Sequence, residues 1–178
     1  NAPHRRLLAA LLYDNVKAVR IEAAQALSAL PEDRLRGAAR LKFDQVLEDY
    51  RQALLYSADF APSQHNLGNL YRNRGKVEDA VKHYREAIQI DDQFYPAKVN
   101  LAMLYNQQNQ KDKAEQLLRD VVTTNPEIYE IHYSLGLLLA EKKQYKESAG
   151  HLAIASQGMP KRARIHYNLG LLLQFLKR

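Results

Sequence analysis

The chain has 178 residues, 46% hydrophobic and 26% charged, with a formal net charge of +6, a balance that allows one substantial buried core. No run approaches the roughly 18 uninterrupted apolar residues that a membrane helix needs, and the N-terminus lacks the charged-then-apolar layout of a secretion signal. Cysteine is absent, which excludes disulfides, thiolate metal sites, thiol nucleophiles and covalent haem attachment within these residues. Asn1-Ala2 resembles the remnant of a cleaved tag, and the last helix reaches Arg178 with no closing partner. The chain is therefore expected to be a piece of a longer protein, with any targeting signal upstream.

In chain order, Arg6 to Leu12 predicts an apolar helix, broken at Asp14-Asn15 and followed by a second helix carrying Val19-Arg20 and Ala23-Ala24-Gln25-Ala26-Leu27. This pair, residues 1–30, resembles one HEAT repeat, a unit in which a loop aspartate and the following arginine commonly interact. Pro31 suits the first turn of a new helix, and no strong breaker is expected from there to Ser57, Gly37 included. Val46, Tyr50 and Ala53 mark residues 43–57 as the second helix of a degenerate repeat within a connecting segment, 31–60.

From residue 61 a phrase recurs every 34 residues: Asn66-Leu67-Gly68-Asn69-Leu70-Tyr71, Asn100-Leu101-Ala102-Met103-Leu104-Tyr105, Ser134-Leu135-Gly136-Leu137-Leu138-Leu139 and Asn168-Leu169-Gly170-Leu171-Leu172-Leu173. With residue 61 as position 1, position 8 is always small, where two helices must approach. Position 20 holds Ala80, Ala114 and Ser148, position 24 Tyr84, Leu118 and Leu152, and position 27 Ala87, Val121 and Ala155. These spacings give two amphipathic helices per repeat, and Pro126 and Pro160 at position 32 stop the second one.

These motifs resemble the tetratricopeptide repeat family over residues 61–178. The resemblance implies an all-α, right-handed solenoid of helix hairpins: repeats at 61–94, 95–128 and 129–162, then the first helix of a fourth at 163–178. The family's tryptophan at position 4 is replaced by Gln64, Lys98, His132 and His166, a change expected to loosen local packing. The run Ala18-Val19-Arg20-Ile21-Glu22-Ala23-Ala24 leading into such repeats is also similar to the C-terminal part of bacterial multihaem cytochrome c proteins. That likeness implies a periplasmic location and a haem-bearing region upstream, with the cytoplasm as the alternative compartment. No cofactor is expected in the present residues.

Stacked hairpins line a concave wall with their first helices, so positions 2, 5, 6, 9, 12 and 13 are the candidate ligand groove. They comprise His65, Asn66, Asn69, Arg72 and Asn73 in the first repeat, Val99, Asn100, Met103 and Asn106 in the second, Tyr133 and Leu137 in the third, and Tyr167, Asn168 and Leu171 in the fourth. Asparagine amides both donate to and accept from a peptide backbone, and tyrosine offers an apolar face with a polar tip. A protein or peptide guest is expected. Co-chaperone members of the family clamp a C-terminal carboxylate; this chain keeps Asn69 and Asn100 but has His65, Glu130 and Ser134 at the cationic places, so that clamp is broken.

Residues 129–178 carry 8 basic against 3 acidic side chains. Lys142, Lys143, Lys146, Lys177 and Arg178 are expected to share a basic edge, a solvated face rather than a nucleic-acid site because no aromatic interleaving accompanies it. His83 and His151 are expected to face outward at position 23. With no histidine pair at helical spacing and no acidic cluster beside one, no metal site is expected. No phosphate loop or nucleophile motif is present, so catalysis has no support. The apolar last helix, with Leu169, Leu171, Leu172, Leu173, Phe175 and Leu176, is expected to be covered by another segment or to self-associate.

Overall fold

The computed structural model describes residues 2–28 and 35–177; Pro31 and Arg178 lie outside the described residues. Ten helices are present among them: α1 Ala2–Leu11, α2 Lys17–Ser28, α3 Gly37–Tyr56, α4 Ala61–Asn73, α5 Val77–Ile90, α6 Tyr95–Gln107, α7 Lys111–Thr124, α8 Tyr129–Glu141, α9 Tyr145–Gly158 and α10 Ala163–Leu176. No described helix is long and apolar enough to cross a membrane. The helices fall into two compact units, Asn1–Asp92 and Gln93–Arg178.

In the first unit, α1, α2 and α3 close a core of Leu12, Ala23, Ala24, Leu27, Phe43, Val46 and Leu47, joined by Leu70 of α4. The loop between α1 and α2 is pinned by the Arg20 guanidinium, which donates to the carbonyl oxygens of Asp14 at 2.8 Å and Asn15 at 3.0 Å. The Asp14 carboxylate instead accepts the Val16 N–H, so aspartate and arginine meet through backbone. Gly37, expected to be absorbed within a longer helix, has φ +56° and begins α3. Of the face expected on α3, Val46 is buried and Tyr50 half-buried, whereas Ala53 is exposed and Leu54 is buried beside it.

The hairpins α4–α5, α6–α7 and α8–α9 close as the periodicity requires. Each first helix ends with position 15 in the left-handed region, at Gly75 (φ 70°), Asn109 (φ 58°) and Lys143 (φ 64°). The next residue's N–H then donates back to Tyr71, Tyr105 and Leu139 respectively, at 2.8 to 2.9 Å. This six-to-one bond satisfies a carbonyl the helix end would leave orphaned. Inside the hairpins, position 8 receives position 24: Gly68 lies under the Tyr84 ring and Gly136 under Leu152.

Position 4 does not loosen the packing. Gln64, Lys98 and His132 are buried, and each finds polar partners in place of the missing indole. Gln64, His132 and His166 reach the carbonyl six residues back, those of Ala58, Pro126 and Pro160, at 2.8 to 3.1 Å. Gln64 also bonds His83 Nδ1 at 2.7 Å, His132 bonds His151 at 3.0 Å between Nδ1 atoms, and Lys98 pairs with Asp120. Gln64 and His132 thus tie the entry loop to the second helix, because a buried polar group must be satisfied.

Candidate functional site

Eight of the fourteen predicted groove residues line two cavities, four in each unit, and His65, Asn100, Tyr133, Tyr167, Asn168 and Leu171 line neither. In the first unit, Asn66, Asn69, Arg72 and Asn73 of α4 line a cavity of about 210 Å³ with Gln25 and Ser28 of α2 and Tyr50 of α3. Asn73 Nδ2 donates to Ser28 Oγ at 3.0 Å, and Asn69 Oδ1 accepts the Tyr84 hydroxyl at 2.7 Å. The two amides are thereby held in place by the fold. Arg72 is half-buried in this wall and brings a guanidinium to the cavity. His65 packs against the Tyr84 ring at 5.7 Å; burial holds its imidazole pKa below the usual value, and the Arg72 charge pushes the same way. Gln25, Ser28 and Tyr50 were missed because the concave wall was taken from the repeats alone.

In the second unit, Val99, Met103, Asn106 and Leu137 line a second cavity of about 220 Å³, together with Ala102, Ala114, Leu118, Ser134, Leu138 and Glu141. Its walls are mostly aliphatic. Asn106 Oδ1 is buried without a hydrogen-bond partner. Asn100 and Tyr133 line neither cavity. Asn168 donates to the Tyr133 hydroxyl at 3.1 Å, while Tyr167 and Leu171 stand 66% and 49% exposed on α10 beside Phe175 at 55%.

The basic edge is discharged at its centre. Lys142 forms ion pairs with Asp112 and Glu115 of α7, and these bonds raise its ammonium pKa. Arg119 likewise joins Glu115 and Glu147. Lys142 is the C-cap of α8, and Lys143, Lys146 and Lys177 are exposed.

His83 and His151 do not face outward as position 23 was expected to. His83 stacks on Tyr71 at 5.1 Å with rings 1° from parallel, and His151 faces His132. Since the Pro126 carbonyl can only accept, a neutral His132 carries its proton on Nε2, and its Nδ1 then accepts from His151. Burial first, then the neighbouring His132, lowers the His151 pKa; burial lowers that of His83 against the pull of Glu86. The folded state therefore holds these rings neutral, whereas the unfolded chain takes up protons near pH 6.5. Stability is expected to be flat above about pH 6.5 and to fall as pH drops through the lower folded values. Urea midpoints from pH 8 to 5 check this; a midpoint constant across that range contradicts it. Among the described residues no three histidine or carboxylate side chains converge as a metal site.

The tetratricopeptide repeat family profile matches residues 71–135. Over that segment the chain is similar to tetratricopeptide repeats. No curated protein matches the sequence. Among solved structures, MamA superposes with a TM-score of 0.67 at 18% identity, covering 76% of this chain and 80% of its own. The first tetratricopeptide domain of Spaghetti (RPAP3), bound to the HSP90 peptide SRMEEVD, gives 0.62 at 19% identity over 66% of this chain and 94% of its own. The Arabidopsis OM64 tetratricopeptide domain gives 0.60 at 18% identity, over 66% and 98%. These likenesses establish the all-α repeat fold.

Proposed function

We propose that this chain is a non-catalytic tetratricopeptide scaffold that binds an extended segment of a protein partner on the first helices of its repeats. The observation that carries the reading is the convergence of groove positions on two cavities of opposite character, an amide-rich one beside Arg72 and an aliphatic one beside Asn106. A structure of the same fold holds a peptide, which supports a peptide guest here. The broken carboxylate clamp means the guest need not be an acidic chain terminus. The nucleic-acid alternative is disfavoured, since Lys142 already spends its charge on Asp112 and Glu115. A HEAT-like α1–α2 pair and a periplasmic haem-protein parent stand as readings of the sequence resemblance.

Panning a random peptide library on the purified chain tests the scaffold. Selected peptides should lose at least about tenfold in affinity, roughly 1.4 kcal/mol, on Arg72→Glu or Leu137→Glu. They should be indifferent to Lys82→Glu on the exposed face of α5. Equal affinities across these variants would sink the groove assignment.

A further inference from the structure

The first unit holds a further cavity, of about 470 Å³, that shares only Leu70 with the amide-rich one and includes no groove position. One side is a stripe of α3, where Arg40, Asp44, Glu48 and Arg51 recur at the spacing that keeps side chains on one helix face. The other side is the end of α4 and its turn, with Tyr71, Arg74 and Lys76. Left-handed Gly75 and the bond from the Lys76 N–H to the Tyr71 carbonyl fix where that lysine leaves the turn. Its ammonium stands 5.9 Å from the Tyr71 ring centroid.

The cations outnumber the anions. Asp44 accepts from Arg40 at 2.7 Å and lies 3.6 Å from Arg74, and Glu48 takes Arg51 in a two-pronged bond of 2.7 and 2.9 Å. Arg40 and Arg74 also share the Phe43 ring, at 5.8 and 5.9 Å from its centroid. Joining α3 to α4 needs no more than one cation for each carboxylate. Here three guanidiniums and one ammonium face two carboxylates, a surplus of two positive charges whose mutual repulsion an incoming anion relieves. The carboxylates and the Phe43 ring hold the arginines in place beforehand, which lowers the ordering cost of binding.

The surplus sets the charge of the guest. A phosphate monoester concentrates about −1.5 to −2 charges near neutral pH on one group with three acceptor oxygens. Guanidinium is the side chain whose forked N–H donors match such oxygens. A carboxylate or a phosphodiester supplies one charge and leaves the other unmatched. Leu47 and Leu70 in the same wall offer an apolar contact to the carbon that carries the ester.

We propose that this cavity binds a phosphomonoester dianion between the arginines of α3 and the Arg74–Lys76 turn, at a site separate from the peptide groove.

Titrating the nitrogen-15-labelled chain with inorganic phosphate, N-acetylphosphoserine amide and acetate at matched ionic strength reads affinity and place together, through backbone amide shifts. At least one phosphate ligand should saturate, with shifts centred on residues 47–51 and 70–76, and acetate should be weaker by at least about tenfold. Lys76 is exposed; Lys76→Glu cancels the surplus and should weaken the phosphate ligand by at least about tenfold, whereas Lys82→Glu, the same charge change on α5, should leave it nearly unaltered. Arg74→Gln should act like Lys76→Glu, and unchanged circular dichroism spectra confirm the fold of the variants. The proposal is overturned by no saturable binding of either phosphate ligand, by acetate binding as tightly, or by equal losses at Lys76 and Lys82. A short RNA without a terminal phosphate that displaces phosphate at lower concentration than the monoesters also overturns it, in favour of a phosphodiester chain. Where the proposal holds, tighter binding of the phosphoserine compound than of inorganic phosphate places the group on a partner's side chain, and the opposite order makes the ligand free phosphate.

Discussion

Tyr84→Ala is expected to destabilise the first unit by about 3–5 kcal/mol, the cost of deleting a fully enclosed aromatic side chain. The Tyr84 side chain is 0% exposed. Its ring lies over Gly68, where no side chain can fill the space it leaves, and its hydroxyl donates to Asn69 Oδ1 at 2.7 Å. Tyr84→Phe separates the two contributions. It keeps the ring and removes one hydrogen bond, for an expected loss of about 1 kcal/mol. Urea titration followed by circular dichroism reads both, and an alanine variant no weaker than the phenylalanine one would contradict the packing described. The result bears on binding as well. Tyr84 fixes the amide of a groove residue from the second helix of the same hairpin, so core and candidate site share a side chain.

The repeat itself was legible because its determinants are local and periodic. Small residues at position 8, bulky ones at position 24 and prolines at position 32 recur at an interval of 34, and a regular interval is what stacked identical units leave in a sequence. The polar links that replace the position-4 tryptophan were not legible. Gln64 and His83 are 19 residues apart, as are His132 and His151. That separation matches no helical period and becomes a contact only when the hairpin shuts. Counting charge by segment misled for the same reason, since Lys142 finds its partners 30 and 27 residues earlier, on α7. The amide-rich cavity was half-legible: α4 supplied its repeat positions, whereas Gln25 and Ser28 come from α2 and Tyr50 from α3, ahead of the first full repeat. Gly37 read as a tolerated helical glycine, but its positive φ makes it the residue that turns the chain into α3.

Gly68→Ala and Gly170→Ala change the same residue at the same repeat position and are expected to act with opposite sign. A Cβ at Gly68 would lie 2.5 Å from Cδ1 and Cε1 of Tyr84. That ring is enclosed and tethered through Asn69, so it cannot swing away, and overpacking of this kind costs about 1–3 kcal/mol. At Gly170 the added Cβ meets nothing within 4 Å. There the substitution removes only the conformational freedom of a glycine inside a helix, a gain of roughly 0.5–1 kcal/mol. Gly136→Ala should fall between them, because a Cβ there would sit 2.9 Å from Leu152 Cγ and Cδ2, and a leucine terminus yields more readily than a tethered ring. Chemical denaturation of the three variants measures the order. A neutral Gly68→Ala, or a Gly170→Ala as costly as it, would mean that position 24 is not what makes position 8 small. The predicted order instead ties glycine to its knob: Gly68 and Gly136 are held by the side chains above them, and Gly170 is a socket with no knob among the described residues.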